Sequence, residues 1–268
     1  MAFYGSEFLF DGRSCREYGL EMYDFGSTTQ GDVSFPSTGK IHEERLFSRY
    51  SSLFYGISQN QALEFTLVFG PTIDAIDSGV PMDRYEIADI AGWLTGHNEY
   101  KWLDIIQPDT IHFRYKCIVS DLKLITYGKM PWAFSCKISC DSPFAYTFPK
   151  TFTYKVVGES DGTLLSESTY NGYYKPKIIL SNVVGGSFSI TNKSDNDRVF
   201  AFQSLPDVAT KISIDNDSMI IKHENGSLNL YPYFNYHFFR LVRGKNELHF
   251  KGNADVSIIC EFPVNIGG

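Results

Sequence analysis

Hydrophobic and polar residues alternate along much of this chain, which is the two-residue period of β-strands buried on one side. The clearest case is the segment 62–69, where four apolar side chains share one face: Leu63, Phe65, Leu67 and Phe69. The same pattern predicts five further strands in the first half, at 3–10, 18–25, 111–119, 121–127 and 132–140. Residues 26–40 are polar and turn-rich, so we expect an exposed loop that is either functional or mobile.

One segment, 83–95, has the period of a helix instead. Asp83 and Glu86 are spaced as a capping box, and Gly96 supplies a stop. Four apolar residues fall on one face between them: Ile87, Ile90, Ala91 and Leu94. We expect this helix to pack its apolar face on a sheet of the first half.

The second half consists of short apolar runs separated by turn residues at intervals of about ten, a pattern typical of a β-sandwich or jelly roll. Three hairpins are predicted: 177–180 with 188–191 through Gly185-Gly186, 211–214 with 219–223 through 215–218, and 248–251 with 256–262 through Gly252-Asn253. A further turn at Asn225-Gly226 leads into 227–231. The chain is therefore predicted to be mainly β, with one helix.

The length of 268 residues favours two domains, and the change of pattern within Cys140–Pro149 places them at 1–145 and 146–268. Residues 1–148 contain 12 Lys and Arg against 19 Asp and Glu, whereas 149–268 contain 12 of each. An acidic first domain argues against tight binding of duplex phosphates, which requires clustered cations. A solubilising surface is the simpler interpretation of that charge.

The cysteines are odd in number and widely spread, which does not resemble a disulfide framework: Cys15, Cys117, Cys136, Cys140 and Cys260. On a strand, Cys136 and Cys140 would lie roughly 13 Å apart, too far to share one metal ion. We expect buried free thiols in a reducing compartment. The sequence starts without a secretory signal and has no apolar run long enough to cross a bilayer, so we expect synthesis in a cytosol and no membrane partner.

A search for chemistry finds no catalytic, cofactor-binding or metal-binding residues to predict. Ser14 lies between Gly12 and Arg16, without the second glycine of a nucleophile elbow. His42-Glu43-Glu44 offers one or two metal ligands with nothing nearby to complete a shell, and Asp215–Asp217 fits a hairpin turn better than a calcium loop. A glycosidase-type carboxylate pair stays open, but no two acids stand out. The prediction is that the protein is not an enzyme.

Tyr231–Phe239 is dense in aromatic residues. Such rings can stack on sugars, or they can belong to a hydrophobic core, and we favour the core.

The second half resembles the C-terminal domain of siphophage distal tail proteins. The matching segments are Tyr170–Gly172, Lys175–Ile178, Ile212–Asp215, Asn225-Gly226 and Phe239–Leu248, followed by Gly252. Its most specific element is Leu-x-x-Gly-x-Asn-x-Leu from Leu241 to Leu248, in which Gly244 can adopt positive φ and Asn246 can bond the turn backbone.

The first half resembles the N-terminal domain of the same family. The matching segments follow the family's order: Phe8–Gly12, Tyr18–Leu20, Phe54–Gly56, Leu63–Leu67, Trp93–Thr95, Phe134–Ile138 and Asp141–Phe144. The resemblance implies an N-terminal β-sandwich with a helix and a β-hairpin, then a galectin-like β-sandwich. It also implies a structural virion protein without catalytic residues, located at the distal end of a phage tail and made in the host cytoplasm.

The partners implied by the resemblance are further copies of the chain in a homohexameric ring, the tail tube protein, and tail-tip or baseplate proteins, including receptor-binding and lysin proteins. DNA would pass through the ring without specific binding, and an acidic lumen would repel it. We also expect 26–40 to clasp a neighbouring subunit or tail protein. The alternative is a carbohydrate-binding β-sandwich module for host-wall recognition, which exposed rings in Tyr231–Phe239 would favour. A wall-degrading enzyme ranks third.

Overall fold

A computed structural model of the protein describes residues 7–23, 40–58, 62–72, 82–107, 113–127, 130–224, 226 and 228–265. The chain divides into two compact units, Met1–Tyr146 with Asn265–Gly268, and Thr147–Val264. Both are built from antiparallel strands, and the mainly β prediction is confirmed. Most of the predicted 26–40 loop, and the Asn225 turn residue, lie outside the described residues.

The described residues of the first unit form ten strands, the last of which ends one residue into the second unit: β1 (Glu7–Phe10), β2 (Arg13–Ser14), β3 (Leu20–Met22), β4 (Lys40–Glu44), β5 (Leu53–Ser58), β6 (Glu64–Pro71), β7 (Lys101–Ile106), β8 (Phe113–Tyr127), β9 (Met130–Cys140) and β10 (Ala145–Thr147). Seven of them form one antiparallel sheet in the order β2-β1-β7-β8-β9-β6-β3, and β10 pairs with β8. Laid flat, β1 and β6 would be about 19 Å apart. The rings of Phe8 and Phe69 nevertheless lie 5.3 Å apart, so the sheet curls over its own core.

The helix α1 (Arg84–Thr95) covers this core, as predicted. The Asp83 side chain accepts from the backbone of Glu86, and the Glu86 side chain accepts from the Asp83 backbone, so the capping box is confirmed. The pattern missed Trp93, whose indole N–H donates to Phe10 O at 3.1 Å and whose ring stacks on Phe8. Trp93 is buried with Ile90 and Leu94. The helix therefore packs on the core through an aromatic ring as well as through aliphatic side chains.

Two first-half strand predictions need correction. Residues 113–127 form one strand, not two, because Asp121 takes a φ of 50° and the ladder to β9 shifts there without ending. Within 18–23, the described part of the predicted strand 18–25, only Leu20–Met22 is a strand, since Tyr18 closes the 3-10 turn Cys15–Tyr18. Ser14 is the N-cap of that turn, which gives it a structural role.

The second unit contains β11 (Lys150–Ser166), β12 (Lys177–Asn192), β13 (Arg198–Phe202), β14 (Ile212–Asp215), β15 (Ile220–His223), β16 (Gly244–Cys260) and β17 (Pro263–Val264). Five of these form a sheet in the order β11-β16-β12-β14-β15, and β13 pairs with β12. The hairpin of β14 and β15 is confirmed, with its turn at 216–219. The other two predicted hairpins are wrong.

Gly185-Gly186 and Gly252-Asn253 are corners within long strands. Residues 177–180 and 188–192 both pair with β16, on either side of a break in register, and Gly252 interrupts β16 with a φ of 120°. Gly158, opposite Gly252 in β11, has a φ of 76°. Three neighbouring strands therefore bend at one level, where only glycine takes these angles at low cost.

The bends fold the sheet into two layers. Tyr154 is paired with Val256, six residues from Phe250, a separation of about 20 Å along a straight strand. The rings of Tyr154 and Phe250 lie 4.7 Å apart, which requires the two halves of the ribbon to face each other. A sandwich made by bent strands, each running through both layers, encloses the core of this unit.

The loop that carries the Leu241–Leu248 motif is built as predicted. Gly244 has a φ of 82°. The buried Asn246 accepts from Val242 N and donates to the carbonyls of Val242 and Gly244. One side chain thus holds the turn that precedes β16.

Candidate assembly surface

The β4–β5 hairpin belongs to neither of the two large sheets of the described chain. Its strands pair with each other and form a separate two-stranded sheet. Isolated two-stranded hairpins are marginally stable in water. Its geometry therefore suits an element that is completed by a partner.

The side chains of this hairpin are unusual for a solvated surface. Six large apolar residues on it are exposed, and the rings of Phe47 and Tyr50 are exposed completely: Ile41, Leu46, Phe47, Tyr50, Phe54 and Tyr55. Residues 41–51 contain no buried position. A cluster of this kind is typical of a protein–protein interaction site.

Local hydrogen bonds hold the hairpin in shape. The Ser52 hydroxyl donates to Glu43 at 2.7 Å, and the Tyr55 hydroxyl donates to Glu44 at 3.0 Å. A bulge next to His42 places Gly56 at a φ of 125°, a conformation that favours glycine. The acids of His42-Glu43-Glu44 thus support the hairpin, and no group of metal ligands occurs among the described residues.

The hairpin differs in charge from the rest of its unit. Residues 40–58 contain three Lys and Arg and two Asp and Glu, whereas the remainder of 1–148 contains 9 and 17. Arg45 and Arg49 lie in the exposed turn beside the two aromatic rings. The hairpin thus adds a cationic, aromatic tip to a unit that is otherwise acidic.

The aromatic run Tyr231–Phe239 contributes mainly to the core. Phe234 and Phe239 are buried, and three further rings pack partly against the same core: Tyr231, Tyr233 and Phe238. Tyr236 is the exposed ring of the run. The segment begins as a 3-10 turn, Tyr231–Tyr233, and not as a strand, so its rings do not form a flat stacking platform.

All five cysteines are buried and free, and their burial is as predicted. Burial raises the pKa of Cys136, Cys140 and Cys260 to about 12. It also raises the pKa of Cys15 and Cys117. Thiols of this kind are poor nucleophiles and poor metal ligands.

The charged cleft of the first unit has a volume of about 340 Å³ and is lined mainly by β6, β8 and β9. The Lys137 ammonium lies 2.7 Å from Glu64, and Lys123 lies 2.8 Å from Asp121. These ion pairs neutralise the cleft. No helix of the described residues is long and apolar enough to cross a membrane.

Comparisons with known proteins agree with this architecture. A family model described as phage tail protein N-terminal domain matches residues 3–142, and one described as phage tail C-terminal domain matches 144–260. The search of curated proteins finds no match.

Several solved structures are similar to this chain at low sequence identity. The crystal structure of the SPP1 Dit protein (gp 19.1), described as a paradigm of the hub adsorption apparatus in phages that infect Gram-positive bacteria, matches with a TM-score of 0.64 and 10% identity over 96% of this chain and 98% of that one. Chains in two structures of the activated phage p2 baseplate match with TM-scores of 0.49: 13% identity over 90% of each chain with Ca, and 14% identity over 96% and 97% with Sr. The SPP1 likeness establishes a Dit-like β-sandwich fold.

Proposed function

This chain belongs to the phage tail protein family, and on that premise we propose that it is a non-enzymatic distal tail protein that joins the tail tube to the tail tip. Residues 1–145 would form a homohexameric ring, and residues 146–268, as a galectin-like domain, would dock tail-tip, baseplate, receptor-binding or lysin proteins. The Dit-like fold over nearly the whole chain supports this role. The protein would assemble in the host cytoplasm and remain in the virion.

The observation that carries the ring proposal is the exposed β4–β5 hairpin. Its strands pair with no third strand among the described residues, and its large apolar side chains are exposed, which favours burial against a partner. A second copy is a suitable partner, because the cationic tip and the acidic remainder of 1–148 occur on the same chain. Repetition of such a head-to-tail contact closes a ring when the rotation between copies allows it.

An acidic lumen that lets DNA pass without sticking, and a clasp formed by 26–40, belong to the same proposal. The excess of seven acids in 1–148 supports the first. The carbohydrate-binding alternative has less support, because Phe234 and Phe239 are buried in the core.

The test is a double substitution at the hairpin tip, Phe47→Ser with Tyr50→Ser. Both rings are fully exposed, so the free energy of unfolding of the variant subunit should lie within about 0.5 kcal/mol of the wild-type value. Wild type, imaged alone or with its tail tube protein, should form six-membered rings with a central hole, and the variant should remain monomeric by light scattering.

The matched control is Tyr236→Ser, which removes an exposed ring from the second unit and should leave the rings intact. Wild-type protein that stays monomeric with its tail tube protein would contradict the ring proposal. A tip variant that assembles normally would remove the hairpin from the interface.

A further inference from the structure

Cys117 in β8 and Cys140 at the end of β9 are directly opposite each other in the antiparallel ladder. The amide of Asp141 donates to Lys116 O at 2.9 Å, next to this pair. The amide of Cys140 points to the other side and donates to Leu63 O at 2.9 Å. Cys117 and Cys140 therefore form a non-hydrogen-bonded pair, in which Cα atoms approach to about 4.5 Å and both side chains lie on one face.

This position suits a disulfide, since bridged cysteines have Cα atoms about 4.4–6.8 Å apart. Both thiols are free and lie in the same hydrophobic core. The other strand cysteines lack a cysteine opposite them: Cys136 is opposite Leu67, and Cys260 is opposite Lys150. The ladder thus brings together one pair.

We propose that Cys117 and Cys140 form a facultative disulfide that closes when the protein leaves the reducing cytosol. This disulfide would cross-link the end of β9 to β8. The bond is inferred from the strand register alone. Its timing rests on the proposed place in the virion, because released particles meet an oxidising exterior.

The oxidant in this step is a small-molecule disulfide. The Cys140 thiolate attacks one of its sulfurs, forms a mixed disulfide and releases one small thiol. The Cys117 thiolate then attacks Cys140 Sγ and releases the second small thiol, so the protein loses two electrons and two protons to the oxidant. Cys140 is the better first nucleophile, because it is at a strand end and is 3% exposed, whereas Cys117 is 0% exposed.

Burial makes the reaction slow. Desolvation raises the pKa of the Cys140 thiol to about 12 and also raises that of Cys117. Little thiolate is present at neutral pH, and the end of β9 must open for the oxidant to enter. Closure should therefore take hours in the folded protein and should accelerate as pH rises towards 9.

The experiment is incubation of the full chain with oxidised glutathione, followed by alkylation under denaturing conditions. Expected results are a mass lower by two hydrogen atoms, two fewer alkylated thiols and a thermal midpoint raised by about 5 °C. Trypsin separates the relevant cysteines, because Cys117 falls in 117–123, Cys136 in 130–137 and Cys140 in 138–150. The linked peptides should be 117–123 and 138–150.

Cys136→Ala is the matched control, since it removes a buried thiol of the same core and should retain both the mass loss and the thermal shift. Cys140→Ala should abolish both. Five alkylated thiols after prolonged oxidation of wild type, or a link to another cysteine, would overturn the proposal even if the variants fail to fold. Tryptic peptide mapping of the protein from purified particles, without reductant, tests the timing separately. Free Cys117 and Cys140 thiols in those particles would refute closure in the virion.

Discussion

The hairpins β4–β5 and β14–β15 are similar in length but differ in what covers them. In β14–β15 one face is buried, through Ile212, Ile214, Ile221 and His223. One strand, β14, continues into the main sheet by pairing with β12. The hairpin β4–β5 has neither a buried face over 41–51 nor a further strand partner among the described residues.

The outer edge of β15 is also protected. The hydroxyl of Tyr231 accepts from Ile221 N at 3.2 Å and donates to Met219 O at 2.9 Å. A side chain thus occupies backbone groups that would otherwise be open to another strand. The outer edge of β15 is therefore covered within its own unit, whereas β4–β5, for which we propose a partner, keeps its apolar side chains exposed.

The largest expected difference is in amide hydrogen exchange. At a concentration that keeps the chain monomeric, amides of β4–β5 should exchange almost as fast as in an unfolded chain, because local opening costs little there. Amides of β14–β15 should be protected roughly a thousandfold or more, since they open with their core. Mass spectrometry of peptic peptides measures both. If the amides of both hairpins were equally protected in the free subunit, the claim that β4–β5 lacks support from its own subunit would be wrong.

The next difference is the loss of unfolding free energy when one isoleucine in each hairpin is replaced by alanine. Ile214 is buried and Ile41 is exposed. Ile214→Ala should lower the free energy of unfolding by about 2–5 kcal/mol, because it leaves a cavity. Ile41→Ala should change it by less than about 0.5 kcal/mol. Urea denaturation of the monomer decides this, and a large cost at Ile41 would mean that the hairpin packs on its own subunit.

The sequence pattern predicted one hairpin and not the other for a physical reason. Ile212, Ile214 and Ile221 follow the two-residue period because one face meets a core. The apolar residues of 41–55 follow no such period, since no face of the hairpin meets a core of this chain over 41–51. The family resemblance implied a hairpin without locating it. The alternation of apolar and polar residues therefore could not predict the candidate surface.

Glycine caused the opposite error. The pairs at Gly185 and Gly252 indicated turns, because positive φ is common to turns and corners. Which one forms depends on the strand alongside, and β16 pairs with β12 on both sides of the bend. That information is not local. The role of the buried Asn246 in its turn, by contrast, was predictable because it bonds Val242 and Gly244, at most four residues away. The hydrogen bond that it accepts from Asn192 is long-range and was not predicted.

A smaller effect is expected from Tyr231→Phe, which keeps the ring and removes the hydroxyl. Two hydrogen bonds to the edge of β15 are lost, for a cost of about 1–2 kcal/mol in unfolding free energy. The exposed edge should also promote concentration-dependent association, measurable by light scattering. A variant that is both as stable and as monomeric as wild type would show that the hydroxyl does not protect the edge.

The smallest effect on the free subunit is expected from the same chemical change in the other hairpin, Tyr55→Phe. The Tyr55 hydroxyl donates to Glu44 in an exposed setting, so water replaces the lost donor and the free energy of unfolding should change by less than about 0.5 kcal/mol. Assembly should be affected more, because a partner that covers the hairpin would bury Glu44 with an unsatisfied oxygen, at about 1–3 kcal/mol. Each 1.4 kcal/mol weakens association about tenfold. Analytical ultracentrifugation of both variants separates the outcomes: Tyr231→Phe should increase association and Tyr55→Phe should weaken it. An unchanged association constant for Tyr55→Phe would place Glu44 outside the interface.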